Sequence, residues 1–133
     1  MRYQTLPPGI QVTKTVVIAD DEPSMRMLVH ATIESDDYKV IEAGDGDQAW
    51  ALIQQYKPSL VLLDVQMPGR SGLEILRSIR AHAELAGTRV ILLTAIDREA
   101  DIEAGLMAGA DFYLTKPFSP LDLITRVEEA LSL

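Results

Sequence analysis

The chain has 133 residues, of which 47% are hydrophobic, and a formal net charge of −8. This length indicates a single domain and this composition argues against intrinsic disorder, while the negative charge disfavours direct binding to nucleic acid or to anionic membranes. The chain has no cysteine for a disulfide or a thiolate-bound zinc and no apolar run near the ~20 residues of a membrane span, so we expect a soluble, cytoplasmic protein.

The first part of the chain, residues 1–13, is predicted to be a separate arm of undefined order, because Pro7 and Pro8 fit neither a helix interior nor a central strand. From residue 14 onward, short apolar runs alternate with segments whose apolar residues recur at helical spacing. The predicted strands cover residues 16–19, 38–43, 60–63, 90–93 and 112–114. The predicted helices carry apolar residues within 25–33, 49–56, 73–79, 102–106 and 124–131.

Residues at the predicted helix ends support this division. Pro23 suits the first turn of the first helix, and Asp97 is predicted to be the N-cap of the fourth helix. Gly109 is expected to end the fourth helix. The fifth helix is predicted to begin at a signal of capping-box type, in which Ser119 precedes Asp122 by three residues with proline at the first helical position.

Five strands that alternate with five helices predict an α/β fold, in which a doubly wound parallel sheet has helices on both faces. In such sheets, ligands bind beyond the carboxyl ends of the strands. Polar residues follow four of the predicted strands at that edge. They are Asp20 and Asp21, Asp64, Thr94 and Lys116. The topology is therefore expected to bring three carboxylates, a hydroxyl and an ammonium group into one shallow cleft.

Three carboxylates in one cleft repel each other by about 4 kcal/mol per pair at ~4 Å and an effective dielectric of ~20. Either a retained proton or a bound cation must offset this repulsion. A set of oxygen ligands without histidine or cysteine favours a hard divalent ion, and Mg²⁺ fits best because it needs few protein ligands. Together with Lys116 and Thr94, such a site has the groups that phosphoryl transfer to an aspartate requires.

These residues, in this order, resemble the receiver domain of response regulators in two-component signalling, and the resemblance covers residues 14–133. Four motifs carry it. They are Asp20-Asp21-Glu22-Pro23, Asp64-Val65-Gln66-Met67-Pro68 with Gly72, Thr94-Ala95, and Tyr113-Leu114-Thr115-Lys116-Pro117-Phe118. The resemblance implies a flavodoxin-like fold with five helices and the strand order 2-1-3-4-5.

The resemblance also implies roles for the acidic residues. Asp64 matches the phosphoacceptor. Asp21 matches the carboxylate that binds Mg²⁺ directly, Asp20 the one that acts mostly through water, and Asp64 itself contributes an oxygen. The backbone carbonyl of Gln66 is the further protein ligand that the family pattern implies.

The remaining motif residues match the parts that respond to the phosphoryl group. Lys116 is expected to pair with it, and Pro117 to follow through a cis peptide bond. Thr94 is expected to move and donate a hydrogen bond to it, while Tyr113 matches an aromatic residue that turns inward as the threonine moves. The output surface implied by the family consists of the fourth helix, fifth strand and fifth helix.

A domain of this type implies two kinds of partner, one that donates the phosphoryl group and one that receives the signal. The phosphoryl donor is expected to be a phosphohistidine on a sensor histidine kinase or on a histidine phosphotransfer protein, and the recipient an effector or output domain. The chain is not expected to be an enzyme beyond self-catalysed phosphorylation and dephosphorylation. Gln66 and Ile96 occupy positions that tune phosphate lifetime in this family, and the apolar Ile96 predicts a long-lived phosphoprotein. A homodimer on activation, and a natural single-domain protein or a fragment of a longer one, all stay open.

Two other functions stay open as well. A receiver-like fold could act as a docking module without taking a phosphoryl group. Residues 44–49 also fit the dinucleotide-binding pattern G-x-G-x-x-A between a strand and a helix. Against the second reading, Asp45 and Asp47 would repel a pyrophosphate, and the chain is too short for a second nucleotide-binding half with a substrate domain.

Overall fold

The structure, a computed structural model, describes residues 13–133. The predicted arm therefore lies outside the described residues, apart from Thr13 at its end. The described strands are β1 (Lys14–Ala19), β2 (Tyr38–Ala43), β3 (Leu60–Leu63), β4 (Arg89–Thr94) and β5 (Phe112–Thr115). The helices are α1 (Pro23–Ile33), α2 (Gly46–Tyr56), α3 (Gly72–Ala81), α4 (Glu99–Met107) and α5 (Pro120–Leu131), with a 3₁₀ turn at Ala83–Leu85. Across residues 13–133, no helix combines the length and apolar character needed to cross a membrane.

The strands form one parallel sheet in the order β2-β1-β3-β4-β5, which confirms the predicted fold and strand order. The chain starts in the middle of the sheet, builds outward to β2, and then crosses to β3 on the other side of β1. The order of the strands therefore reverses between β1 and β3. This reversal leaves a crevice beyond the carboxyl ends of those two strands, where α/β folds bind their ligands.

The alternation of side chains along the central strands gives two separate hydrophobic layers, one on each face of the sheet. In β3, for example, Val61 and Leu63 belong to one layer, whereas Leu60 and Leu62 belong to the other. All four side chains are fully buried. Helices cover both faces of the sheet, which explains why these strands are continuous apolar runs in the sequence.

Four of the helices pack against these layers and fix the sheet between them. Helices α2 and α3 cover one face, and α1 and α5 cover the other. By contrast, Gly105 is the one buried residue that the structure describes in α4. The apolar residues predicted to mark this helix do not form a buried stripe, since Leu106 is 43% exposed and the adjacent Met107 is 80% exposed.

The helix ends agree with the predictions except at the start of α4. The hydroxyl of Ser119 accepts a hydrogen bond from the backbone N–H of Asp122 (3.0 Å), and Gly109 follows α4 with a φ of 111°, which favours glycine. The prediction that Asp97 caps α4 is wrong. An N-cap residue supplies the carbonyl that accepts the first helical hydrogen bond, and that carbonyl belongs to Arg98.

Candidate functional site

The acidic residues lie together at the carboxyl edge of the sheet. The backbone N–H of Asp64 donates to the carbonyl of Ala19 (2.9 Å), and the N–H of Asp20 donates to the carbonyl of Ala43 (3.1 Å). The parallel ladder thus continues one residue beyond the strands and fixes Asp20 beside Asp64. Asp21 completes the group, and the three carboxylates can offer oxygens that lie within 4.8 Å of one another.

Lys116 reaches this group from the loop that follows β5. Its Nζ donates to Oδ2 of Asp20 at 2.8 Å and to Oδ2 of Asp64 at 3.1 Å. The side chains of these three residues are 13%, 4% and 10% exposed, respectively. The backbone N–H of Lys116 donates to the carbonyl of Thr94 (2.8 Å), and its peptide bond to Pro117 is cis, as the family resemblance implied.

Burial and charge act in opposite directions on the two ends of this ion pair. Desolvation raises the pKa of the Asp64 carboxyl above its ordinary value, although the hydrogen bond and the charge of Lys116 oppose the shift. For Lys116, burial lowers the pKa of the ammonium group, but hydrogen bonds to Asp20 and Asp64 outweigh burial and bring that pKa above its ordinary value. Lys116 therefore stays charged, whereas burial disfavours the charged form of Asp64 in spite of its contact with the ammonium group.

Three strand-end side chains share one local geometry, in which an oxygen accepts a hydrogen bond from the backbone N–H two residues further on. The pairs are Asp20 with Glu22 at 2.9 Å, Asp64 with Gln66 at 3.2 Å, and Thr94 with Ile96 at 3.2 Å. In the two aspartates this bond occupies Oδ1 and leaves Oδ2 for Lys116. In Thr94, which is buried, the bond uses an oxygen lone pair and leaves the hydroxyl proton available for donation.

Tyr113 is attached to the same loop as Thr94. Its hydroxyl donates to the backbone carbonyl of Ile96 at 2.9 Å, and its ring packs against the hydrophobic layer that α2 and α3 cover. Burial raises the pKa of the Tyr113 hydroxyl, with a further contribution from the charge of Asp101. The tyrosine therefore stays protonated and acts as a hydrogen-bond donor. Thr94 and Tyr113 meet at Ile96, one through its N–H and the other through its carbonyl.

Arg26 supports the acidic group from behind, a role that the sequence did not predict. Its Nη1 donates to the backbone carbonyl of Asp20 at 2.7 Å, and its Nε donates to Glu42 at 3.2 Å. Glu42 is also hydrogen bonded to Nδ1 of His30 at 2.7 Å. These contacts tie the loop after β1 to helix α1 and to strand β2. No local sequence motif predicts this network, because its members come from separate elements of the chain.

The donor set at this edge fits a divalent cation. Three carboxylates and one ammonium group leave two negative charges uncompensated in a largely buried place. The ligand atoms are oxygens, which favours Mg²⁺ over softer metals. Asp21 is exposed, so the cleft is open to the water molecules that Mg²⁺ keeps in its coordination shell.

The dinucleotide-binding pattern at residues 44–49 has a structural explanation instead. The backbone N–H of Gly46 donates to the carbonyl of Pro68 (2.9 Å), and a Cβ at this position would collide with the backbone of Arg70. The side chain of Asp45 accepts a hydrogen bond from the N–H of Gln48 (2.7 Å). The N-terminus of α2 is thus covered by the loop after β3 and offers no room for a pyrophosphate.

Comparison with known proteins gives a consistent result. Residues 16–128 match the family described as the response regulator receiver domain. Over 120 residues, or 90% of this chain, the sequence is 38% identical to Response regulator GtcR of Aneurinibacillus migulanus and 40% identical to the phosphate regulon transcriptional regulatory protein PhoB of Pseudomonas aeruginosa. The matches cover 48% and 52% of those proteins, so the chain spans about half of their length. The BeF₃-activated N-terminal receiver domain of RstA from Klebsiella pneumoniae superposes with a TM-score of 0.81 at 30% identity, covering 90% of this chain and 99% of that domain.

Proposed function

The chain belongs to the response regulator receiver domain family, and on this premise we propose that residues 14–133 form a signalling switch in which Asp64 accepts a phosphoryl group. Receiver domains are signalling domains and not conventional enzymes. The observation that carries the proposal is the contact between Lys116 and Asp64 (3.1 Å) inside a group of three carboxylates. It supports a nucleophile held beside a positive charge, in a cleft where a phosphoryl group can be neutralised.

In the proposed reaction, a carboxylate oxygen of Asp64 forms a bond to phosphorus. At the same time the bond between phosphorus and the imidazole nitrogen of the donor breaks, and the imidazole takes a proton from solvent. Lys116 pairs with the negative charge on the transferred group, as it pairs with the carboxylate in the structure. When bound, Mg²⁺ would supply further charge neutralisation, held directly by Asp21 and Asp64, by the backbone carbonyl of Gln66, and through water by Asp20.

The response proposed for the domain begins with Thr94. Phosphorylation adds charge and acceptor oxygens at Asp64, and the hydroxyl proton of Thr94 can be donated to one of them. Thr94 shares the loop at Ile96 with Tyr113, so a movement of the threonine changes the loop that the tyrosine holds. The change is relayed in this way to a surface made of α4, β5 and α5. The phosphoryl group then shifts the population between two arrangements of that surface.

Thr94→Ala is expected to accept a phosphoryl group like the wild type but to lose the response. Without the hydroxyl, no side chain at this position can follow the new oxygens. We expect the amide NMR shifts that beryllofluoride induces in α4 and β5 to fall several-fold, while phosphorylation measured by intact mass is unchanged.

Thr88→Ala is the matched control for this experiment. Thr88 is also buried and directly precedes β4, but its hydroxyl donates to the carbonyl of Pro58 (2.8 Å). This variant should keep the full response. Normal shift changes, or normal binding of an output partner, in phosphorylated Thr94→Ala would contradict the proposed relay.

Ile96→Glu is expected to shorten the lifetime of the phosphorylated protein several-fold. Ile96 lines an open groove of about 590 Å³ together with Asp21 and Gln66. The proposed role of its apolar side chain is to limit the access of water to the phosphoryl group. A carboxylate there would bind water and bring it to the phosphoryl group. The lifetime is measured by intact mass after removal of the donor. Ile96→Leu should decay like the wild type, and a longer lifetime in Ile96→Glu would show that shielding is not the role of this residue.

We propose a sensor histidine kinase or a histidine phosphotransfer protein as the donor, and the cytoplasm as the place of transfer. The recipient proposed is an output domain or a separate effector, which the greater length of the two relatives supports. The exposed side chains of Leu106, Met107 and Leu121 provide apolar surface on α4 and α5 for this partner or for a second copy of the chain on activation.

A further inference from the structure

A glycine lies in the last turn of α4, at the position where this helix meets the sheet. Gly105 is buried, and a Cβ built on it would lie 2.8 Å from Cδ1 of Leu92 and 3.2 Å from Cδ2 and Cε2 of Tyr113. These distances are shorter than ordinary contacts to a side chain. The tyrosine ring therefore lies against the helix at a place where the backbone carries no side chain.

The backbone conformation at this position does not require glycine. Positive φ values occur at Gly69 and Gly109 among the described glycines, and Gly105 has none. In a helix interior glycine is less favourable than any residue except proline. The lack of a side chain must therefore serve the packing of Leu92 and Tyr113. Leu92 is fully buried in the middle of β4, whereas Tyr113 is only partly buried. Of the two neighbours, the tyrosine is the one with room to move away.

The position of the ring decides whether the tyrosine can reach its acceptor. The hydroxyl of Tyr113 donates to the carbonyl of Ile96 at 2.9 Å, in the loop that leads into α4. Through this bond and its packing at Gly105, Tyr113 of β5 contacts both the loop before α4 and α4 itself. A methyl group on residue 105 would press on both neighbours, and a ring that gives way by a few tenths of an ångström would weaken its hydrogen bond to Ile96. The space at Gly105 and the hydrogen bond at Ile96 thus describe one orientation of the same side chain.

We propose that Gly105 is a positioning residue that holds Tyr113 in its inward orientation. It thereby sets the balance between the inward and outward orientations of the ring in the unphosphorylated protein. The second part of this proposal rests on the function proposed above for Tyr113. Adding a methyl group to residue 105 is expected to move the balance toward an outward ring. A residue in the partner-facing helix would then control the tyrosine without contacting the phosphoryl site.

The positioning of Tyr113 by Gly105 is tested by a double-mutant cycle of Gly105→Ala and Tyr113→Phe, measured by urea unfolding with EDTA present. In the wild type, loss of the hydroxyl should raise the unfolding equilibrium constant about fivefold, as expected for one hydrogen bond. In Gly105→Ala the same loss should change it less than about twofold, because the bond is already weakened. The NMR signals of ¹³C-labelled Tyr113 should shift on Gly105→Ala and show the displaced ring directly.

Gly87→Ala is the control, since a Cβ at this exposed glycine meets no atom within 4 Å. In this background Tyr113→Phe should keep its full effect. The proposal is overturned if Tyr113→Phe has the same effect in Gly105→Ala as in the wild type, or has none in the wild type. A Gly105→Ala protein that is merely more stable, with an unshifted tyrosine, would show a simple helix-propensity effect.

A separate measurement distinguishes the positioning role of Gly105 from the switch function proposed for Tyr113. If inward Tyr113 belongs to the state that a phosphoryl group favours, Gly105→Ala should weaken beryllofluoride binding to the Mg²⁺-loaded protein several-fold. If Tyr113→Phe loses its effect in Gly105→Ala while the beryllofluoride affinity is unchanged, the positioning role of Gly105 is confirmed and the coupling of Tyr113 to Asp64 is overturned. If Tyr113→Phe has the same effect in both backgrounds, the positioning role of Gly105 is overturned, whatever the beryllofluoride affinity.

Discussion

Asp64→Asn is expected to abolish the gain of a phosphoryl group that we predict for the wild-type protein with acetyl phosphate and Mg²⁺. Asparagine keeps the size of the side chain and the hydrogen bond from Gln66, but its amide has no anionic oxygen to attack phosphorus. The expected loss is complete, because Asp64 is the proposed acceptor, and the two other carboxylates of the acidic group, Asp20 and Asp21, are proposed to hold Mg²⁺. Intact mass spectrometry measures the gain, and EDTA should suppress it in the wild type.

Asp36→Asn is the control for this experiment, since Asp36 is an exposed aspartate in the loop before β2, away from the acidic group. It should be phosphorylated like the wild type. A phosphoryl group on Asp64→Asn would identify another acceptor. If the wild type gains none and beryllofluoride also fails to bind, the docking-module function takes precedence, and the search turns to a partner of the unmodified protein.

Lys116→Met is expected to lower the free energy of unfolding by about 3 kcal/mol in metal-free solution, the lower end for breaking a buried ion pair. The variant leaves Asp20 and Asp64 side by side without the ammonium group that donates to both. Their exposed fractions of 4% and 10% leave little access for water to replace it. Urea unfolding with EDTA measures the loss, and Mg²⁺ should reverse part of it by restoring positive charge.

A second substitution tests the electrostatic origin of this loss. Combining Lys116→Met with Asp64→Asn should recover most of the stability, because it removes the carboxylate whose pKa burial raises. Arg77→Met removes an exposed cation from α3 and should change the free energy of unfolding by less than about 0.5 kcal/mol. If Lys116→Met were equally destabilising with and without the Asp64 charge, the loss would come from packing of the lysine stem.

The sequence predicts the sheet well because each of its central strands contains an uninterrupted run of four apolar residues. Residues 60–63 have no polar side chain, so a strand covered on both faces is the simple interpretation, and the helices on either side follow from connection and handedness. Once the sheet is parallel, the residues that follow its strands must share an edge. The meeting of Asp20, Asp64 and Lys116 therefore needs no knowledge of side-chain packing, although they are far apart in the sequence.

Other features depend on tertiary contacts that have no local pattern. Arg26 contacts Glu42 from a different element, and Gly105 is explained by Leu92 and Tyr113. The predicted cap of α4 failed for a related reason. Asp97 has a suitable side chain, but the tyrosine hydroxyl engages the loop carbonyl just before it, and the helical hydrogen bonds begin at Arg98. One omission could have been avoided, since Ser71 and Glu74 form a capping box with the usual spacing.

Helix α4 contributes little to folding, since Gly105 is its one buried position in the structure. Its backbone amides should exchange with solvent through local opening at a lower cost than those of α3, whose apolar face is buried. Substitutions at Met107 or at other exposed positions of α4 should be nearly neutral for stability. The outer face of this helix can therefore vary to fit different partners at little cost in stability, whereas substitutions among the buried charges of Asp20, Asp64 and Lys116 carry such a cost.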